Sequence, residues 1–200
     1  MRSSLGCTGH ALNGASGKRK GGNAGKQRMV KGCSSAMNGI KVGLARIARA
    51  DARLFILGSL PGDASLAAAR YYAHPTNQFW RLLGAAIGED LPSMSYGRRL
   101  ERLAERYIGL WDVIASASRP GSLDQSIRLA NHNPLEQLLD DFPEIRAVAF
   151  NGQAAAAVGR RLLGASETLH LIDLPSSSAA NTRPWREKAQ LWAELGKYID

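Results

Sequence analysis

The chain has 200 residues, 44% of them hydrophobic and 22% charged, the balance of an ordinary folded domain with room for one core and a tail. Its formal net charge is +9, but ten of the 26 basic residues and none of the 17 acidic ones fall in residues 1–50, so the rest is close to neutral and its overall basicity does not mark a nucleic-acid surface. Both cysteines, Cys7 and Cys33, lie in that leading segment, which excludes a disulfide framework, a cysteine zinc site or an iron–sulfur cluster from the body.

Residues 1–37 are rich in Gly, Ser, Lys and Asn, carry no hydrophobic period, and are predicted to be a disordered basic arm. The arm lacks an apolar h-region and so is not a secretory signal. Three readings stay open for it: a phosphate-attracting tail, a solvated tail, or an over-extended start, with Met29 and Met37 as later beginnings. No apolar run is long enough to cross a bilayer, and a soluble, reduced, intracellular protein is expected.

A domain is predicted over residues 38–200, beginning with a short packed segment lined by Ile40, Val42, Leu44 and Ile47. Arg53–Leu57 reads as a buried strand delivering the loop Gly58-Ser-Leu-Pro-Gly62. Helical spacing places Phe79, Leu82, Leu83 and Ile87 on one face of Gln78–Ile87, and Leu100, Leu103 and Tyr107 on one face of Tyr96–Tyr107. Gly109–Ala115 is a second buried strand, and Arg119–Asp124 is a loop by its Pro-Gly pair. Asn133-Pro134 opens a helix with Asn as cap and Pro at the first position. Arg146–Phe150 is a third strand, Gln153–Leu163 an Ala-rich helix, Thr168–Leu174 a fourth strand, and Arg186–Tyr198 a closing helix.

Strands alternating with helices imply right-handed crossovers. The predicted fold class is therefore α/β, a three-layer α/β/α sandwich around a central, mainly parallel four-stranded sheet. Parallel strands point their carboxyl ends one way, and ligands bind beyond those ends. Gly58–Gly62, Asp112, Asn151-Gly152 and Pro175–Ser178 then share one edge.

Each piece of that edge has an ordinary reading beside a chemical one. The Gly-Ser-Leu-Pro-Gly loop is a turn, or a place where backbone N–H groups meet a ligand; it is neither a Walker loop nor a Rossmann fingerprint. Asn77 is a helix cap or a positioning amide. His74 is a hydrogen-bonded structural residue or a site group. Tyr71 and Tyr72 are core, or a stacking face for a planar base. Asp112 lies in an apolar strand, where a carboxylate must be paired or stand at the open end. Pro175-Ser176-Ser177-Ser178 is a polar loop or a phosphate contact. No serine-nucleophile elbow and no HExxH string is present, so hydrolases of those types and zinc enzymes gain no support.

In combination and in order, these segments resemble the uracil-DNA glycosylase superfamily over about residues 40–199. Gly58-Ser-Leu-Pro-Gly62, Tyr71-Tyr-Ala-His-Pro-Thr-Asn-Gln-Phe-Trp80, Gly109-Leu-Trp-Asp-Val113, Asn151-Gly152 and Leu174-Pro-Ser-Ser-Ser-Ala-Ala-Asn181 look most like its hypoxanthine-DNA (deoxyinosine) glycosylase branch. The His-Pro-x-Asn-x-Phe-Trp string is shared with the mismatch-specific thymine/uracil branch. The resemblance implies a monofunctional glycosylase that flips a deaminated base out of DNA and hydrolyses its N-glycosidic bond. It implies no cofactor, a monomer, DNA as partner, no membrane, and a cytoplasmic, nucleoid-associated place of action.

By the same resemblance, Asn77 is the catalytic residue. Gly58, Ser59, Leu60, Tyr72 and Asp112 bind the base, and His74, Asn151, Pro175, Ser176, Ser177 and Ser178 bind DNA. The chain departs from the family at two positions. Leu60 stands where most branches carry an Asp or Asn that handles water, and Leu174 stands where many carry a His. Those departures keep a non-excising damage-binding module open as an alternative, beside a mismatch-specific uracil or thymine glycosylase. The Ser176–Asn181 loop is the candidate duplex wedge. An ionised Asp112 only accepts hydrogen bonds, so facing the ring N–H of hypoxanthine or uracil it would meet the bare ring nitrogen of adenine as acceptor against acceptor, a mismatch of about 1–3 kcal/mol when buried.

Overall fold

The computed structural model describes residues 39–165 and 168–199; the predicted arm of residues 1–37 lies outside the described residues. The apolar run Leu54–Gly58 forms β2, buried at every position and central in a parallel four-stranded sheet of order β3-β2-β6-β7. A strand covered on both faces reads as a continuous hydrophobic run, as this one does. Its neighbours are β3 (Ile108–Asp112) and β6 (Ala147–Asn151), with β7 (His170–Leu174) at the edge beyond β6.

The register fixes the site before any side chain is considered. Gly58 pairs with Asp112, Leu57 with Phe150, and Asn151 with Leu174. The last residues of all four strands therefore end level, on one edge.

Alternating side chains feed two cores. Leu54, Ile56, Leu110 and Ala149 pack with α2 (Phe79–Ile87), α3 (Tyr96–Glu105) and α6 (Trp185–Trp192). Phe55, Leu57, Trp111 and Phe150 face the other way, toward α4 (Gln137–Asp141) and α5 (Gln153–Leu163). The three-layer α/β/α arrangement expected from the alternation is the one observed.

Four local expectations are corrected. The run Gly109–Ala115 is two strands, because the chain leaves the main sheet at Val113. Its N–H donates to the Gly58 carbonyl (2.8 Å), while its own carbonyl accepts from Asn133 (3.0 Å). The continuation β4 (Ile114–Ser118) is half-buried and sits centrally in a small antiparallel sheet between β1 (Ile40–Val42) and β5 (Arg128–His132). An apolar run interrupted only by Asp112 carries no mark of a change of sheet. β1 is mostly exposed, Ile40 at 52% and Val42 at 68%, so only Leu44 and Ile47 of the predicted leading segment pack on the core.

A short helix, α1 (Asp63–Ala68), follows the Gly58–Gly62 loop and was not anticipated. α4 begins at Gln137 rather than Pro134, and the Asn133 amide donates to the Asp112 carbonyl (2.8 Å) instead of capping a helix. The closing helix ends at Trp192, and a 3-10 stretch, Ala193–Tyr198, completes it.

Candidate active site

The level strand ends open into a cavity of about 670 Å³. Gly58, Ser59 and Leu60 from the end of β2, Asp112 from β3, Asn151 from β6 and Ser176–Ser178 after β7 all line it. Tyr72, His74 and Asn77 reach it from the segment leading into α2. Of the residues assigned a catalytic, base-binding or DNA-binding part from sequence, only Pro175 stays off the wall; its carbonyl accepts the indole N–H of Trp192 (3.0 Å).

One face of the cavity is aromatic. Tyr72 stacks flat on Phe79, ring centroids 3.5 Å apart and 10° from parallel, and Trp80 meets Tyr72 edge-on at 6.4 Å. Tyr72 adopts φ = 52°, a left-handed conformation that a bulky side chain rarely takes. Such strain is kept where the surroundings demand one side-chain direction. Its hydroxyl is buried and has no hydrogen-bond partner, although the Asn151 amide is near.

Asp112 is 3% exposed, and its Oδ2 is likewise buried without a partner. Burial pushes its carboxyl up to about 7, with the nearby Asp124 carboxylate adding to the rise. The Tyr71 hydroxyl and the Arg119 guanidinium oppose it. Around neutrality the group is therefore both acid and carboxylate, so the accept-only Asp112 expected from sequence is one of two populated forms. The neutral form donates one hydrogen bond and accepts another. Two orphaned buried polar atoms on one wall are an unfilled hydrogen-bonding surface, which costs stability unless a ligand completes it.

Asn77 is not the N-cap of α2, which is Gln78, but it braces the start of that helix from one residue earlier. Its Oδ1 accepts the Phe79 N–H (3.0 Å) at the start of α2, which fixes the orientation of the amide. The two amide N–H groups and one lone pair remain for a ligand in the cavity. His74 is exposed and accepts the Thr76 N–H at Nδ1 (3.3 Å), with the Thr76 hydroxyl 2.9 Å from the same nitrogen. It braces the turn that presents Asn77, whose N–H donates to the His74 carbonyl (2.9 Å).

Asn151 and Ser177 are fastened to each other. The Asn151 amide donates to the Ser177 hydroxyl (2.9 Å) and accepts the Ser177 N–H (2.8 Å). Ser177 is fully buried. This pair shapes the loop after β7, and Ser176 and Ser178 are the serines left with surface. Ser177 also accepts the Gln78 N–H through its carbonyl (2.9 Å), which joins the two rims of the cavity. Leu60 lines the cavity but is 5% exposed and packed in the core, so it shapes the wall without polar chemistry.

Sequence reading missed Arg119 and Asp124. Arg119 is 1% exposed and donates to the carbonyls of Leu60 (2.8 Å) and Pro61, clamping the Gly58–Gly62 loop from behind. Because a peptide's C=O and N–H point opposite ways, the clamp turns the Gly62 N–H away from Arg119. Asp124 lines the cavity and accepts the Ser59 hydroxyl (2.6 Å). Both lie on the segment following β4, and only the unforeseen second sheet brings that segment back over the site.

Residues 46–196 match the family model described as the uracil DNA glycosylase superfamily. A hypoxanthine DNA glycosylase of Methanosarcina barkeri is 41% identical over 158 residues, spanning 78% of this chain and 98% of that protein. A hypoxanthine DNA glycosylase of Methanosarcina acetivorans is 39% identical over 159 residues, 80% of this chain and 99% of that one. A solution NMR structure of a candidate uracil DNA glycosylase from Methanosarcina acetivorans superposes with a TM-score of 0.71 at 38% identity, covering 79% of this chain and 97% of that one.

Proposed function

Because this chain belongs to the uracil-DNA glycosylase superfamily, we propose that it is a monofunctional DNA glycosylase that hydrolyses the N-glycosidic bond of deaminated bases, hypoxanthine foremost and uracil besides. The observation that carries this reading is the meeting of Asn77, Tyr72 and Asp112 on one cavity. Chemistry on a base needs the base outside the stack, and a wall with one flat ring and two unsatisfied polar atoms suits a flipped nucleobase.

In this reading the base lies on Tyr72, whose other face rests on Phe79. Its polar edge satisfies Asp112. As the C–N bond breaks, positive charge grows on the sugar and negative charge on the base. The Asn77 amide holds a water against the sugar, and such positioning removes several kcal/mol of barrier. Backbone N–H groups of the Gly58–Gly62 loop, held by the Arg119 clamp, stabilise the oxygen of the departing base. The water's oxygen bonds to the anomeric carbon, one of its protons goes to the base, and the products are free base and an abasic site. Water is the only co-reactant, so no cofactor is required. The protein works on DNA as a monomer in the cytoplasm, at the nucleoid.

The test is an excision assay on a labelled inosine oligonucleotide, with Asn77→Ala beside the parent. Release of hypoxanthine by the parent and its loss in the variant support the reading. Retention of the damaged strand without any abasic product would instead establish a non-excising module. Uracil and mismatched thymine in the same assay separate the mismatch-specific alternative.

A further inference from the structure

Flipping a nucleotide leaves a gap in the duplex, and an apolar side chain entering the stack keeps that gap from closing. The Ser176–Asn181 loop, the candidate wedge by sequence, holds only Ser, Ala and Asn side chains, none large enough to take the place of a base. The opposite rim offers one. Among the described residues, the exposed large apolar side chains are Ile40, Val42, Leu123, Leu129, Leu139 and Leu191, and of these only Leu123 lines the cavity. A single exposed leucine is ordinary by itself; its place and its mounting are what distinguish this one.

Leu123 is 57% exposed, yet the chain on both sides of it is pinned. The Gly121 carbonyl accepts from Lys41 Nζ (2.5 Å), the Ser122 hydroxyl accepts the Asp63 N–H (3.0 Å), and Asp124 accepts the Ser59 hydroxyl (2.6 Å). Four residues back, buried Arg119 anchors the same segment to the Leu60 and Pro61 carbonyls. An apolar side chain held in solvent by a rigid mount gains nothing from the fold, and it loses little freedom when it enters another surface. Of the two acidic groups beside it, Asp63 is ion-paired with Lys41, which limits its repulsion of a phosphate backbone, and Asp124 is turned to the Ser59 hydroxyl.

We propose that Leu123 is the residue that enters the base stack of duplex DNA and fills the space left by the extruded nucleotide. The proposal rests on the glycosylase reading and assigns the part played by the loop between β4 and β5. It is tested with the full chain, comparing Leu123→Ala and Leu123→Met with the parent on one inosine oligonucleotide, single-stranded and paired. The ratio of single-turnover excision on duplex to that on single strand is expected to fall about tenfold in the alanine variant, because only the duplex has a stack to hold open. Methionine, also long and apolar, is expected to restore most of it. A ratio unchanged in Leu123→Ala, or lost equally in Leu123→Met, overturns the proposal.

A second readout does not depend on excision. With 2-aminopurine placed beside the inosine, the parent raises its fluorescence on binding and Leu123→Ala does not. A parent that unstacks the probe without excising defeats the glycosylase reading and leaves the wedge standing. Equal signals from parent and alanine variant, or no signal from either, defeat the wedge.

Discussion

The Asp112 carboxyl rests directly on Gly58: a β-carbon at 58 would stand 2.6 Å from Asp112 Oδ1 and 3.3 Å from the Tyr72 hydroxyl. The two residues are paired in register across β2 and β3, so neither backbone can move aside without disturbing the sheet. Gly58→Ala is therefore expected to displace the carboxyl into the cavity. Excision should fall at least tenfold, with a stability loss of about 1–3 kcal/mol from overpacking. Single-turnover kinetics beside a thermal melt check this, and near-parental excision would show that the carboxyl has another place to go.

Asn77 has a structural duty and a proposed chemical one, and two substitutions separate them. Asn77→Ala removes the oxygen that accepts the Phe79 N–H, at a cost of about 1 kcal/mol. Asn77→Asp keeps that acceptor but replaces the two amide donors with a second oxygen. If the amide positions water, both variants lose excision while only alanine loses stability. Full excision by Asn77→Asp would make the amide donors irrelevant.

The lock between Asn151 and Ser177 predicts a different pattern. Asn151→Ala leaves the fully buried Ser177 N–H and hydroxyl without their partner. A loss of about 1–3 kcal/mol follows, with weaker DNA binding because the loop after β7 loosens. Denaturant unfolding and a salt series of binding measurements check it. Parental stability would mean that water or a neighbouring group replaces the amide without cost. Gly152, beside Asn151, allows little relaxation, because it sits at φ = 104° with Ser176 Cβ 2.9 Å from where its own β-carbon would be.

The core of the fold and most of the site wall could be read from the sequence because both follow from alternation. Four apolar runs, each followed by a helical period, force a parallel sheet, and a parallel sheet gathers its loops on one edge. The alternation alone therefore brings Gly58, Asp112, Asn151 and Ser176 together. Arg119 and Asp124 escaped because their position depends on the chain changing sheets at Val113. That change is made by hydrogen bonds to Gly58 and from Asn133, not by any pattern in residues 109–115. Leu123 escaped for the same reason: it is a leucine in a Pro-Gly loop until β4 and β5 carry that loop over the cavity.

Asp112 gives the fold a pH dependence of definite sign. Its carboxyl ionises near 3.8 in the unfolded chain and near 7 when folded, because burial disfavours the charge. Between these values the folded state holds a proton that the unfolded state has released. Stability is therefore highest, as far as this group goes, below the lower value, and it declines by about 1.4 kcal/mol per pH unit as pH rises toward the upper one. Asp112→Asn cannot ionise, so its stability relative to the parent should grow from pH 5 to pH 8; urea unfolding at both values is the check, and parallel pH curves would refute the assignment. Base choice should move with the same proton. The neutral acid, like an amide, offers one donor and one acceptor, and can match either a ring N–H or a bare ring nitrogen. The carboxylate offers acceptors only. The preference for hypoxanthine over adenine in excision is thus expected to sharpen as pH passes 7 in the parent and to stay level in Asp112→Asn. A mispairing of about 1–3 kcal/mol corresponds to a change of roughly five- to 150-fold. A preference that stays constant with pH in the parent would mean that Asp112 does not face the edge by which the two bases differ.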